Sequence, residues 1–382
     1  MSFNEDSRVK IPALLHFTSL GYRYLSLKGA TWDATTNIFP EHFKSSIQQI
    51  NPTASSAEID QALAQTTLLL DNEDLGKAFY ERLLSGVGIR LIDFDNFDNN
   101  TFHVVTELPC INGDEEFRPD ITLLINGLPL VFIEVKKPNN RDGILAERHR
   151  IAVRFQNPKF RRFVNLTQLM MFSNNMEYDD SSSEPLQGAF YATTSYENPG
   201  FNYFREETSS ALPALPPLDA DTETLILADN NLHALKHAPE FETNKNPNSP
   251  TNRLSTSLFC RPRLAFLLRY GIAYVRGLLG YEKHIMRYPQ IFATHAIADK
   301  IEGGTRKGII WHTQGSGKTA LAFYNVKHLT DHFRGKGVVP KFYFIVDRID
   351  LLIQAALEFR SRGLVVHEVD TRDAFARDIK ST

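Results

Sequence analysis

The run Arg118-Pro119-Asp120-Ile121-Thr122-Leu123-Leu124-Ile125-Asn126-Gly127-Leu128-Pro129-Leu130-Val131-Phe132-Ile133-Glu134-Val135-Lys136-Lys137-Pro138 decides how this chain is read. Two apolar, β-branched stretches flank an Asn-Gly turn signal, the pattern of an antiparallel hairpin. Acids are out of place in strands this apolar. Asp120 opens the first strand, Glu134 lies inside the second, and Lys136 follows two residues on. Charges persist in such surroundings when they are paired, coordinate a metal or take part in chemistry.

Side-chain parity sharpens the point. Glu134 and Lys136 are two apart and leave the same strand face. Asp120 joins them only in a register that sets it opposite Glu134. A two-residue loop with Ile125 opposite Leu128 would pair Asp120 with Ile133 and turn it to the wrong face. The expectation is therefore a three-residue loop or a bulge near Asn126 to Pro129. With that register, Asp120 and Glu134 supply the hard oxygen ligands that Mg²⁺ prefers, alongside water and substrate oxygens. Such an ion offsets phosphate charge and acidifies the attacking water in phosphodiester hydrolysis. Lys136 would orient that water and stabilise the developing charge. The plainer reading of this trio is a surface salt bridge.

Charge inverts across the hairpin. Between Asp93 and Glu116 the charged residues are all acids, and this stretch reads as a solvated loop with a strand over Thr101 to Leu108. From Lys136 to Arg162 the cations are Lys136, Lys137, Arg141, Arg148, Arg150, Arg154, Lys159, Arg161 and Arg162; with only Asp142 and Glu147 opposing, nine against two leaves +7. Lys137 and the seven cations after it are the expected contacts to a duplex backbone, where affinity comes from neutralised phosphates. A solvated helix face is the alternative.

The rest of the 382 residues is long enough for two or three domains, and a net charge of −3 confines any nucleic-acid surface to a local patch. Two cysteines, Cys110 and Cys260, fit a reducing cytoplasm rather than a disulfide or zinc framework. No signal segment or membrane-length apolar run is apparent. Helical patterns cover residues 5–20, 41–50, 56–70 and 73–85, and strands are expected at 21–27 and 188–194. Linker-like compositions occur at 177–187, 212–217 and 244–250. Leu258 to Leu279 reads as an apolar-rich helix studded with arginines.

A second chemical signal lies downstream. Gly308 to Thr313 reads as a buried strand, His312-Thr313-Gln314-Gly315-Ser316-Gly317-Lys318-Thr319 as a phosphate loop, and Ala320 to Phe333 as the following helix. Glycines let backbone N–H groups close round phosphates, the lysine reaches the β and γ phosphates, and the Thr hydroxyl can ligate Mg²⁺. The common pattern has glycine where His312 stands. Phe342 to Asp347 reads as the next parallel strand.

In combination these motifs resemble the restriction (R) subunit of type I restriction–modification enzymes. The resemblance rests on Arg118-Pro119-Asp120, Asn126 to Leu130, Ile133 to Pro138, Thr167-Gln168-Leu169, Phe172-Ser173-Asn174, Tyr288-Pro289-Gln290, Gly308 to Thr319 and Val346-Asp347-Arg348. In that family histidine at position 312 is normal. The resemblance implies an α/β architecture: a PD-(D/E)-x-K nuclease-like domain, with a mixed sheet flanked by helices, then an incomplete RecA-like P-loop helicase lobe. The expected divisions are an endonuclease domain at 1–205, a linker or insertion at 206–256, a bridging helix at 257–285 and the motor lobe at 286–382. It implies Asp120 and Glu134 as metal ligands with the Val135 carbonyl as a further one, Lys136 as catalytic, and Glu5 as an accessory acid. It implies Gln290 as an adenine contact and residues 313–319 as the nucleotide loop. A Gln-x-x-x-Tyr motif carried by some relatives is missing after Lys136.

The expected activity is Mg²⁺-dependent cleavage of double-stranded DNA by a cytoplasmic enzyme, coupled in the full-length subunit to ATP-driven translocation. Methyltransferase and specificity subunits are the implied partners. No Asp-Glu-x-x motif follows Thr319, so the chain is expected to be an N-terminal fragment that does not turn over ATP. The rival readings are a non-cleaving DNA-holding module that feeds a motor, and an unrelated P-loop kinase.

Overall fold

The computed structural model describes residues 5–138, 143–178, 187–197, 199–206, 215–278, 280–313, 315–369 and 371–380. The chain divides into two compact units, Met1–Ile272 and Ala273–Thr382.

In chain order the first unit contains α1 (Ile11–Ser19), β1 (Arg23–Tyr24), α2 (Pro40–Ile50), α3 (Ser56–Leu69), α4 (Lys77–Leu84), β2 (Phe102–Thr106), β3 (Cys110–Asn112), β4 (Glu115–Phe117), β5 (Ile121–Ile125) and β6 (Leu128–Val135). It continues with α5 (Gly143–Gln156), α6 (Arg161–Leu166), β7 (Leu169–Ser173), β8 (Ala189–Ala192), β9 (Asn202–Tyr203), α7 (Ala220–Asp229), α8 (Pro239–Asn244), α9 (Pro250–Phe259) and α10 (Arg261–Phe266). Local chemistry explains several starts. Pro12 sits in the first turn of α1, directly after a π-helical turn over Asp6–Lys10. Ser55 and Glu58 form a reciprocal capping box at the start of α3.

The core is a seven-stranded mixed sheet in the order β1-β2-β5-β6-β7-β8-β9. β5 is antiparallel to both β2 and β6, whereas β6 and β7 run parallel. A parallel pair needs a crossover, and α5 and α6 supply it. Every residue of β5 and β6 is buried, so these are central strands covered on both faces.

The hairpin has the register that brings Asp120 to Glu134. Asn126 (φ 51°) and Gly127 (φ 75°) form a two-residue turn joining Ile125 to Leu128, which are paired. One step later Leu124 faces Pro129, but Leu123 faces Val131, so Leu130 is an extra residue on β6. This bulge shifts the remaining pairs to Thr122 with Phe132 and Ile121 with Ile133. One residue outward, Asp120 lies across from Glu134. The bulge falls at Leu130, immediately beyond the bracket expected from sequence.

Residues 206–256 are not a linker. Where described, they form α7, α8 and the first part of α9, which pack on the sheet unit. His16 of α1 meets Thr256 at 2.7 Å, and Tyr22 donates to the Phe259 carbonyl at 2.8 Å. The bridging helix of 257–285 is also corrected. The chain extends at Cys260 (ψ 141°), α10 ends by Phe266, a π turn spans Leu267–Gly271, and a hairpin of β10 (Ile272–Arg276) and β11 (Tyr281–Ile285) follows. Pro262 cannot continue a preceding helix, and the β-branched Ile272 and Val275 before Gly277 favour a strand.

The second unit continues with α11 (Tyr288–Glu302), α12 (Lys318–Arg334), α13 (Ile349–Ser361) and α14 (Arg372–Lys380). Its helices match the expected α/β pattern, but the two expected strands are absent. Gly308–Thr313 and Phe342–Asp347 run without ladder pairing among the described residues, and Ile309 and Trp311 are 92% and 89% exposed. A strand exists through its partner, and an apolar run with none beside it stays irregular.

Candidate active site

Carboxylates from four parts of the first unit converge on one ammonium. Lys136, just past β6, donates to Glu134 Oε1 at 2.9 Å and to the Val135 carbonyl at 3.0 Å. Its Nζ lies 3.8 Å from Asp120 Oδ2, 3.8 Å from Glu147 Oε2 and 3.9 Å from Glu5 Oε1. Glu5 also accepts a hydrogen bond from the Lys137 amide at 3.2 Å, which ties the N-terminal helix to the end of β6. Asp120, Glu134 and Glu147 are 8%, 7% and 1% exposed, so water does little to screen them.

The electrostatics follow from that crowding. Burial, followed by the Asp120 charge, pushes the Glu134 carboxyl well above the usual carboxylate range. Burial also raises Asp120, with Lys136 and the Val135 amide pulling the other way. Burial alone would lower Lys136, yet Glu134, Asp120, Glu147 and Glu5 outweigh it and keep the ammonium charged. The pocket holds more negative charge than its own lysine balances, a demand that a hard cation would meet. Among the described residues no group of three or more acids, histidines or cysteines is placed to hold a metal unaided. Two carboxylates and one backbone carbonyl suit Mg²⁺, which retains water and takes substrate oxygens rather than a full protein cage.

The basic arc is less free than its sequence suggests. Arg150 meets Glu147 at 2.7 Å, Lys159 meets Asp114 and Glu115 at 2.9 Å, Arg161 meets Glu73 at 2.8 Å, and Arg162 meets Asp71 at 2.6 Å. Arg154 lies over the Phe117 ring and 3.9 Å from Glu147, and Arg148 donates to the Pro199 carbonyl. Lys137 is exposed beside the acids, and Arg141 lies outside the described residues. The acidic stretch upstream of the hairpin thus supplies two of the partners that offset the arc.

Glu147 is the residue that sequence reasoning missed, having counted it only as a stray acid among cations. A signal was present. Ile144, Glu147, Ile151 and Phe155 share the helical spacing of the buried stripe of α5, so an acid at 147 had to be buried.

In the second unit Gly315 (φ 75°) and Gly317 (φ 79°) shape the loop before α12. Gln290 is buried, and its amide donates to the Gly317 carbonyl at 3.0 Å while its oxygen accepts from the Arg287 amide at 2.9 Å. A Cβ on Gly317 would stand 2.6 Å from the Gln290 nitrogen, so glycine there allows the close approach. Lys318 donates to the Thr313 carbonyl at 2.9 Å, and His312 meets Ser316 at 3.2 Å. Gln290, Thr313 and residues 315–319 therefore come together; Gln314 lies outside the described residues.

Comparison with known proteins finds matches to both parts of the chain. Residues 2–179 match the family model described as type I restriction enzyme R protein N terminus, and residues 289–382 match that of the SWI2/SNF2 ATPases. The type I restriction enzyme HindI endonuclease subunit of Haemophilus influenzae is 24% identical over 357 residues, covering 85% of this chain and 29% of that protein. The MjaIXP endonuclease subunit of Methanocaldococcus jannaschii is 25% identical over 383 residues, covering 91% of this chain and 33% of its own length. The SsaAORF53P endonuclease subunit of Staphylococcus saprophyticus is 25% identical over 289 residues, covering 74% and 25%. Its first part is thus similar to the N terminus of type I restriction enzyme R proteins and its second part to the SWI2/SNF2 ATPases. More narrowly, the relatives that span both parts are type I restriction enzyme endonuclease subunits, and the chain resembles them along most of its length. It spans a third or less of the length of these relatives. No helix among the described residues is long and apolar enough to cross a membrane.

Proposed function

We propose that the Asp120–Glu134–Lys136 site has the PD-(D/E)-x-K type and cleaves double-stranded DNA with Mg²⁺. One observation carries the reading: the Leu130 bulge gives the register that brings Asp120 to the acid and lysine of β6. Asp120, Glu134 and the Val135 carbonyl would hold the ion, which when bound lowers the pKa of water and offsets phosphate charge. Lys136, held charged by its acids, orients the attacking water and stabilises charge on the phosphate as the bond breaks. Burial of the acids keeps competing bulk water from screening these interactions.

DNA contact is assigned to Lys137, Arg148, Arg150 and Arg154 close to the acids, with Lys159, Arg161 and Arg162 further along. Surface ion pairs contribute about 0–1 kcal/mol, so Lys159, Arg161 and Arg162 can exchange their exposed carboxylates for a phosphate at little cost. Residues 286–382 are read as the first part of an ATP-driven motor lobe. Gln290 and the loop from Thr313 to Thr319 would receive ATP, and the motor would feed DNA to the nuclease. The family resemblance points to methyltransferase and specificity subunits as partners.

The test is Asp120→Ala and Lys136→Ala in the full-length subunit assembled with those partners. The expected result is loss of DNA cleavage by about 10²-fold or more with ATP-driven translocation retained. Unchanged cleavage would overturn the reading in favour of a DNA-holding module.

A further inference from the structure

We propose that Glu147 is a positioning residue for Lys136, reaching the site from the α5 side. The inference rests on the nuclease reading above and adds a residue to it. Three observations support it. First, Glu147 is 1% exposed on the apolar stripe of α5, where an acid is costly unless its charge is used. Second, its Oε2 lies 3.8 Å from Lys136 Nζ, on a helix, whereas Asp120 and Glu134 approach from the strands. Third, its Oε1 is buried with no hydrogen-bond partner, and Arg154 stands 3.9 Å away.

The arrangement gives Glu147 a task distinct from that of the ligand acids. Lys136 hydrogen-bonds Glu134 Oε1 and the Val135 carbonyl, two of the oxygens assigned to the metal. If it remained there it would compete with the cation for them. The buried carboxylate of Glu147, 3.8 Å from Nζ and carried by a helix rather than a strand, offers the ammonium a second partner that is not one of the ligand oxygens. Arg150, which is half exposed, holds the other side of Glu147 Oε2 at 2.7 Å and fixes the carboxylate towards the lysine. Glu147 thus aims the lysine and does not bind the ion.

Glu147→Gln keeps the shape of the side chain and removes the charge. In the full-length subunit assembled with its partners, DNA cleavage at saturating Mg²⁺ is expected to fall by about 10- to 100-fold, the usual effect of removing an outer-shell partner. Glu147→Asp should recover part of the loss, and half-saturating Mg²⁺ should rise in Glu147→Gln by less than in Asp120→Asn, because the lysine left on the ligand oxygens competes with the ion. ATP hydrolysis and the thermal unfolding midpoint report whether the fold survives. Wild-type cleavage by Glu147→Gln overturns the proposal. So does a rise in half-saturating Mg²⁺ matching that of Asp120→Asn, which would make Glu147 a ligand. Equal losses in both Glu147 variants together with a lowered midpoint would leave it a merely structural group and also overturn the proposal. Asp120→Asn run in parallel separates the two claims: if that variant cleaves normally, the nuclease reading itself has failed.

Discussion

The backbone N–H of Val135 donates a 2.8 Å hydrogen bond to Asp120 Oδ2. The residue between the acid and the lysine of β6 therefore fixes the acid of the opposing strand. That bond requires the register shift at Leu130, and the register begins at the turn.

Gly127 is the position where the turn tolerates least change. A Cβ there would lie 2.6 Å from the Phe43 nitrogen and 2.8 Å from the Phe39 oxygen, and φ is already +75°. Gly127→Ala is expected to destabilise the protein by about 2 kcal/mol or more, since the left-handed backbone alone costs roughly 1–2 kcal/mol. Chemical denaturation of wild type and variant, compared by midpoint at constant slope, measures it.

Glu134→Gln should separate stability from activity. Glu134 is buried beside Asp120 and Glu147, whose charges disfavour its own. Glu134→Gln makes permanent the neutral state that burial and these charges favour, and is expected to stabilise the metal-free protein by about 1 kcal/mol above pH 8, where the wild-type carboxyl ionises, while abolishing cleavage, the trade-off expected of a strained site. A thermal melt in chelator that shows the variant less stable than wild type would contradict this.

His16 predicts acid sensitivity. Burial lowers its pKa from the ordinary histidine value of about 6.5 to about 4. The unfolded chain therefore takes up a proton that the folded one refuses. Its contribution to stability is complete above pH 6.5 and is lost as pH falls towards 4, at about 1.4 kcal/mol per pH unit. His103, lowered to about 4 chiefly by burial, adds a second slope of the same sign. Denaturant titrations at pH 7, 6 and 5 should show the decline, and His16→Gln should flatten it by roughly half.

Gln290 ties α11 to the loop before α12 through Gly317. Gln290→Ala removes that donor and the acceptor for the Arg287 amide, two partly buried hydrogen bonds worth about 0.5–1.5 kcal/mol each. In the full-length subunit, affinity for a non-hydrolysable ATP analogue is expected to drop by about tenfold, read by calorimetry. Unaltered affinity would detach Gln290 from nucleotide binding.

Legibility in the sequence followed the range of the interactions involved. The hairpin, its acids and the need for a register shift could be read because parity along a strand is a local rule. The seat of the bulge could not, since any residue from Asn126 to Leu130 restores parity and packing selects among them. Glu147 was concealed by its neighbours in sequence: four basic residues within one helix drew attention to charge rather than to the stripe beneath. The run from Leu258 to Leu279 was misread because apolar residues fill it between its arginines, so periodicity did not mark Cys260 or Gly271 as breaks. The strands at Gly308 and Phe342 were expected from residue type, and pairing, which residue type does not contain, is what they lack.

The carboxylates around Lys136 come from residues 5, 120, 134 and 147. No short segment carries more than two of them, and mutual repulsion would scatter them in a loose chain. Their convergence is therefore a readout of completed folding. Under the proposed nuclease reading, a chain that has not yet brought residue 5, the β5–β6 hairpin and α5 together lacks the geometry to cut, so folding itself arms the site.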